Sequence, residues 1–357
     1  MGAGDPVRDA AAGVLRRLAG AANLTTFSGP AGCAPFWNPQ AVERFFADAP
    51  ALEAAMARLF LGGAEIFCPQ VRDALGDDAV DLLLEAGVLQ TASGENLSSR
   101  HLLVNCFNRH VLAAPPPGHP RFAAAAAPYC GPESLWFAQF LASRGPYRSG
   151  LDLCTGSGLL AMLPECGSVV AVDIDPAALD AAAFNVAVNL RTGIALLQGD
   201  LFDPVGGANF DLITANPPFL PGGPGGRLPA CGDGGRRGDE VLARILRDVA
   251  GHLAPGGEAL VYAEGFGDRA GPAILGDLPD MALSKNHAYT CWIGGTRNAQ
   301  QMIFDLCRIW QLVGATEEAA WAHWRDIAAD MPTTHYHHAI WHVADGNGTI
   351  ALRHLRS

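Results

Sequence analysis

Asn216-Pro217-Pro218-Phe219 is the run whose residue types most plainly suit a reaction. The side-chain oxygen of Asn216 and the carbonyl of Pro217 are two acceptors on adjacent residues. Together they can hold an NH₂ group with its lone pair turned outward. An amide or aromatic amino nitrogen needs such help, because its lone pair is delocalised into the attached carbonyl or ring. The two prolines stiffen the turn, and Phe219 offers a flat face to a planar group. The bland alternative is a strand ending in a proline turn beside a buried Phe.

Upstream lie residues suited to a nucleoside-bearing ligand. Asp152-Leu153-Cys154-Thr155-Gly156-Ser157-Gly158 closes an apolar run with glycines where a backbone must turn tightly and approach a ligand before a helix starts. Asp173 ends the next run, twenty-one residues after Asp152, where an acid can accept hydrogen bonds from ribose hydroxyls. NAD-binding proteins share that logic. Asp152 leading into the glycine turn and Gly199-Asp200-Leu201 after a third run, suited to an adenine amino group, turn the reading away from NAD. Each element alone is equally a turn glycine or a solvated acid. Four of them in order on successive strands are much more specific.

Those positions require a particular scaffold. Leu151 to Leu153, Val169 to Val172, Ala195 to Gln198, Leu212 to Thr214 and Ala259 to Tyr262 are short apolar runs separated by helix-length segments. Strand alternating with helix predicts an α/β fold with a mostly parallel sheet covered on both faces, and ligands beyond the carboxyl ends of its strands. From about Val7 to Val111 the spacing is helical instead, notably over Ala41 to Phe60 and Val71 to Ala86. A helix near Val80, a hairpin turning at Ser93-Gly94-Glu95 and a strand ending at His101 to Val104 follow an order similar to a winged helix. Ala114 to Pro120 is Pro-rich, and we place the domain boundary there: 1–113 as a helical or winged-helix-like cap or substrate domain, 114–357 as the ligand-binding domain with an unusual C-terminal extension.

Composition narrows the partners. The 357 residues are 49% apolar and 17% charged, enough apolar content to bury a core. With 24 Lys and Arg against 36 Asp and Glu the net charge is −12, which opposes attraction to nucleic acid. No long charge-free apolar run suits a membrane span, and Arg16 and Arg17 interrupt the Ala-rich N-terminus, so we expect a cytoplasmic protein. Nine cysteines without a Cys-x-x-Cys pair fit reduced thiols, not a disulfide framework or structural zinc. Thr333-Thr334-His335-Tyr336-His337-His338 reads as a strand with alternating His in preference to a metal site, and no metal is expected. That run and Trp292-Ile293-Gly294-Gly295 are candidate substrate contacts. Leu220 to Gly238, rich in Gly and Pro, is either a mobile gate or a tolerant surface insertion.

Taken together, these motifs resemble class I (Rossmann-like) S-adenosylmethionine-dependent methyltransferases, over about Tyr129 to Tyr262. Within them the chain is similar to the release-factor glutamine N-methyltransferase branch, through Gly131-Pro132-Glu133-Ser134, Gly234-Gly235 and Leu253-Ala254-Pro255-Gly256-Gly257. The resemblance implies S-adenosylmethionine as cofactor, with Asp152, Cys154, Thr155, Gly156 and Gly158 lining its methionine and sugar portion. It implies Asp173 at the ribose, Asp200 and Leu201 at the adenine, Ile174 and Asn216 also among the cofactor-binding residues, and Asn216, Pro217 and Phe219 at the reacting nitrogen. The expected reaction is N-methylation of an amide or amine in a peptide or small metabolite. Two other functions remain open: cyclisation of the cofactor's own aminobutyrate chain with release of methylthioadenosine, and a cofactor sensor that binds DNA through its N-terminal region. The acceptor and the oligomeric state are left open.

Overall fold

A computed structural model of the chain describes residues 5–22, 39–115, 130–142, 144–226, 228, 231–281 and 283–355. First along the chain come α1 (Pro6–Ala21), α2 (Pro39–Phe45), α3 (Ala51–Phe60), β1 (Ile66–Phe67), α4 (Cys68–Leu75), α5 (Asp77–Glu85), β2 (Leu89–Thr91), β3 (Asn96–Ser99), β4 (Leu102–Cys106), β5 (Arg109–Ala113) and α6 (Pro132–Leu141). Alternation then sets in with β6 (Tyr147–Leu153), α7 (Leu159–Met162), β7 (Cys166–Asp173), α8 (Pro176–Val188), β8 (Ile194–Gln198), β9 (Phe210–Ala215), α9 (Glu240–Asp248) and β10 (Leu253–Asp268). The chain finishes with β11 (Gly271–Pro272), α10 (Ile274–Asp277), β12 (His287–Asn298), α11 (Gln300–Leu312), α12 (Glu317–Ala328), β13 (His335–Asp345) and β14 (Ile350–His354).

The described residues fall into two compact units. One holds residues up to 144 together with 156–163 and 176–194; the other holds 145–155, 164–175 and everything from 195 onward. This is not the sequential division at residue 114 that composition suggested, and most of the Pro-rich connection, 116–129, lies outside the described residues. The physical reason is that α8 packs on α1 and β5, so two helices of the alternating region count with the N-terminal elements.

Within the first unit, α3, β1, α4, α5, β2 and β3 follow one another as helix, strand, helix, helix, strand, strand, and the antiparallel strands lie in the order β1-β3-β2. The core of this unit gathers Leu15, Leu59, Phe60, Val71, Val80 and Leu83, all fully buried. The long helical spans expected here are broken. Pro50, which cannot continue a helix from α2, precedes α3, and Gly76 adopts φ +90° between α4 and α5. A second hairpin, β4–β5, turns on Phe107 and Asn108, both left-handed at φ 48° and 61°.

The second unit is built on a nine-stranded sheet in the order β14-β12-β13-β10-β9-β6-β7-β8, with β11 paired to β10. β6 pairs in parallel with β7 on one side and β9 on the other, and β10 lies parallel to β9. β13 inserts antiparallel between β10 and β12. The five apolar runs read from sequence all fall within β6 to β10. The reversal of direction between β7 and β9 about β6 opens the crevice in which such sheets bind ligands. One face is sealed by Leu242, Ile245 and Leu246 of α9 against Ile213, Val261 and Trp341. A separate core joins α11 and α12 through Leu306, Trp310 and Trp324 to Phe266 and Tyr336.

Candidate active site

Where β6 ends, Cys154, Gly156 and Gly158 take φ values of 53°, 52° and 77°. Three left-handed residues in five reverse the chain tightly, and the Thr155 N–H fastens the turn to β7 by donating to the Val172 carbonyl at 3.0 Å. A β-carbon on Gly158 would meet that of Ala182 at 3.1 Å, so glycine is required for shape as well as for φ. Asp152 is fully buried beneath this turn. Thr155 Oγ1 donates to its Oδ2 at 2.6 Å and Thr214 Oγ1 to its Oδ1 at 2.7 Å, so the carboxylate joins the turn to β9.

Asn185 of α8 was not anticipated from sequence. It is fully buried in the first unit; its Nδ2 donates to the carbonyls of Ser157 (2.9 Å) and Leu112 (3.0 Å), and its Oδ1 accepts from the Leu112 N–H (2.8 Å). Asn189, one turn on, treats His110 the same way at 2.8 and 2.7 Å. An Asn-x-x-x-Asn spacing along a mainly apolar, Ala-rich helix and the residue after it was the available signal.

Asp173 closes β7. Its Oδ1 accepts from the Asp175 N–H at 3.0 Å and its carbonyl from the Gly199 N–H at 3.0 Å, which ties the acids after β7 and β8 together. Ile174, next in line, is 58% exposed, a large apolar side chain with a bare face beside the acid. Asp200 receives Arg244 Nη2 of α9 at 2.8 Å, a partner the sequence did not reveal. Leu201 is buried and left-handed at φ 50°. Burial and then the charges of Asp173, Asp152 and Asp200 push the Cys154 thiol far above its ordinary range, with Arg244 opposing. The Cys154 thiol is therefore held in its neutral form. The acids that close β7 and follow β8, with the exposed Ile174 beside Asp173, suit the hydroxyl and amino groups of a nucleoside.

Asn216 follows β9 directly, between the strand that carries the turn and β10. Pro217 is buried and Phe219 half-buried. The Phe219 ring meets Tyr262 of β10 edge to face, centroids 6.0 Å apart at 70°. Tyr262 Oη donates to Glu264 Oε1 at 2.6 Å, and Arg297 Nη2 lies 3.9 Å from Glu264 Oε2. His338 pairs in register with Glu264; burial lowers its pKa against the opposing pull of Glu264. Beyond Phe219 the loop folds on itself, with Leu220 N donating to Gly232 O (3.1 Å) and Gly234 N to Leu220 O (2.9 Å).

The C-terminal motifs fall on β12 and β13. Trp292 of β12 stacks on His342 with centroids 4.6 Å apart, and His342 Nε2 lies 2.9 Å from Glu258 Oε2. The His-rich run enters β13. His337 is buried, its Nε2 donating to the Asp268 carbonyl at 2.9 Å and its Nδ1 2.9 Å from Thr296 Oγ1. Among the described residues no group of three or more His, Cys, Asp or Glu is placed to hold a metal ion, and no helix is long and apolar enough to cross a membrane.

Residues 133–269 match the family described as Methyltransferase small domain. The ribosomal protein uL3 glutamine methyltransferase of Bradyrhizobium diazoefficiens is 44% identical over 146 residues, covering 37% of this chain and 46% of that protein. The release factor glutamine methyltransferase of Moorella thermoacetica is 38% identical over 120 residues, covering 30% and 42%. That of Gloeobacter violaceus is 37% identical over 157 residues, covering 40% and 51%. The chain thus spans about half the length of these curated relatives. Over residues 133–269 the chain is thus similar to the methyltransferase small domain, a family that uses S-adenosylmethionine.

Proposed function

We propose that this chain methylates the side-chain amide nitrogen of a protein glutamine. The observation that carries the reading is the placement of Asn216-Pro217-Pro218-Phe219 directly after the central strand β9, flanked by β6 with its glycine turn and by β10 with Tyr262. The relatives that match this stretch are named for glutamine as acceptor. S-adenosylmethionine supplies, when bound, a methyl group already activated on a sulfonium, so the protein's work is alignment and exclusion of water.

Asp173 takes the ribose hydroxyls, Asp200 the adenine amino group, and Ile174 and Leu201 bracket the base. We assign Asp152 and Asn185 to holding the turn in shape, because their polar atoms are engaged beneath it. Asn216 Oδ1 and the Pro217 carbonyl accept the two amide hydrogens of the acceptor, which turns its nitrogen lone pair toward the methyl group. Phe219, braced by Tyr262, covers the planar amide.

Residues 1–113 serve acceptor selection in this reading, not DNA binding. In a winged helix the third helix enters the DNA groove. Here that helix is α5, whose exposed Asp77, Asp78, Asp81 and Glu85 repel phosphates.

The test is to incubate the purified chain with S-adenosylmethionine and either ribosomal protein uL3 or a release factor, and to identify products by mass. A methyl group on a glutamine amide together with S-adenosylhomocysteine supports the reading. Methylthioadenosine formed without an acceptor would establish cyclisation of the cofactor instead.

A further inference from the structure

The loop after Phe219 lies within the matched stretch, yet residues far beyond that stretch hold it. Trp310 of α11, fully buried, donates from Nε1 to the Pro221 carbonyl at 3.2 Å. His323 of α12 donates from Nε2 to the next carbonyl, Gly222 O, at 2.8 Å. The two rings meet edge to face, 5.2 Å apart. Trp310 also fills the space beside Gly223, where a β-carbon would come within 2.8 Å of Cδ1. On the other limb of the loop, Arg236 donates to Asp326 Oδ2 at 2.6 Å, to the Asp326 carbonyl at 3.3 Å and to Asp330.

The two limbs are themselves joined, Gly222 N donating to Gly235 O at 2.8 Å. The inner limb presses on the acceptor motif: a β-carbon on Gly234 would lie 2.8 Å from the Pro218 carbonyl. α12 is fastened back to the sheet through Trp324, whose ring centroid lies 4.7 Å from that of Phe266, itself 4.8 Å from that of Tyr336, and α11 joins the same core through Leu306 and Trp310. A continuous path of buried rings and hydrogen bonds therefore runs from β10 and β13 through the helical pair to the residues bordering Phe219.

From this arrangement we infer that α11–α12 is a strut for the acceptor loop, with Trp310, His323 and Arg236 as positioning residues for methyl transfer. The inference rests on reading Asn216-Pro217-Pro218-Phe219 as the acceptor site. Residues 220–226 and 231–238 then form a braced platform beside Phe219, neither a swinging gate nor a free insertion. Catalysis then depends on residues after 269 that touch neither cofactor nor acceptor.

The test uses the full chain and four variants, with conservative changes matched to disruptive ones: His323→Leu against His323→Gln, and Arg236→Ala against Arg236→Lys. Hydrogen exchange is followed at the Gly222 and Gly234 amides, S-adenosylmethionine affinity by calorimetry, and turnover with uL3 as probe acceptor. In His323→Leu and Arg236→Ala the loop amides should exchange about tenfold faster while those of β9 are unchanged, as expected for losing a hydrogen bond that acts locally. kcat should fall about tenfold with KM for S-adenosylmethionine within about twofold of the parent. His323→Gln and Arg236→Lys should recover most of both effects.

Loop exchange unchanged in the disruptive variants would overturn the strut. So would acceleration spread equally to β9, or failure of the conservative variants to rescue. If the parent chain leaves uL3 unmethylated, the function reading is in question, while the exchange and affinity measurements still judge the strut.

Discussion

Replacing Asp152 with alanine should damage the stability of the second unit more than it damages any contact with a ligand. The carboxylate has no solvent exposure and receives the hydroxyls of Thr155 and Thr214 at 2.6 and 2.7 Å. A hydrogen bond to an ionised group contributes roughly 1.5 to 3 kcal/mol. Two would give roughly 3 to 6, and the lower end applies because Thr214 Oγ1 also lies 3.5 Å from the Leu151 carbonyl, to which it can turn. The expected loss is thus about 3 kcal/mol, or about 6 to 12 °C in Tm for a unit of this size. Asp152→Asn keeps the volume and one good acceptor and should lose about half as much. In a double-mutant cycle, Asp152→Asn and Thr214→Val should couple by about 1 to 2 kcal/mol. Urea unfolding measures these values, and calorimetric titration with S-adenosylmethionine accompanies each. An alanine variant within about 0.5 kcal/mol of the parent but tenfold weaker in cofactor affinity would refute the reasoning and return Asp152 to the ligand-facing side.

Three other expectations follow from the same geometry. Asp173→Ala should weaken S-adenosylmethionine binding about ten- to hundredfold by removing an ionised acceptor of hydroxyl groups, and unchanged calorimetric affinity in a folded variant would misplace the ribose. Gly158→Ala should cost about 1 to 3 kcal/mol, since its φ of 77° is left-handed and its β-carbon would crowd Ala182; a Tm equal to the parent's would contradict this. His101, whose pKa burial first and Arg100 second lower from 6.5 to about 4, stabilises the first unit fully above pH 6.5. That stability, on the order of 3 kcal/mol, is lost as the pH falls from 6.5 through 4, and His101→Gln should flatten unfolding curves across this window.

Much of the second unit could be read from sequence because buried parallel strands are continuous apolar runs. Leu151–Leu153 and Leu212–Thr214 announce themselves that way, and the acids and glycines at their carboxyl ends follow from the fold. The strand ends were not readable: Tyr147 to Ser149 are polar residues that pair only because β7 lies beside them. Periodicity joined helices that Pro50 and Gly76 separate, since apolar spacing continues across a break that backbone geometry forbids. The β4–β5 turn carries only Asn108 as a signal, with Phe107 forced left-handed beside it. Asp152 shows the limit most clearly. An acid before a glycine turn reads as a ligand contact, and only the fold reveals Thr214, 62 residues on, waiting beneath it. Arg244 and the hold of α11–α12 on the loop after Phe219 are likewise long-range pairings that no local spacing encodes.

Under the proposed function Asn216 acts on the reacting nitrogen and not on the cofactor. The most direct test of this is Asn216→Ala, assayed in single turnover with uL3 or a release factor alongside calorimetric titration of S-adenosylmethionine. The rate should fall about 10²- to 10³-fold below the parent, with cofactor affinity within about twofold. A folded alanine variant that transfers methyl groups at the parent's rate would contradict it, and would reduce Asn216-Pro217-Pro218-Phe219 to a structural turn.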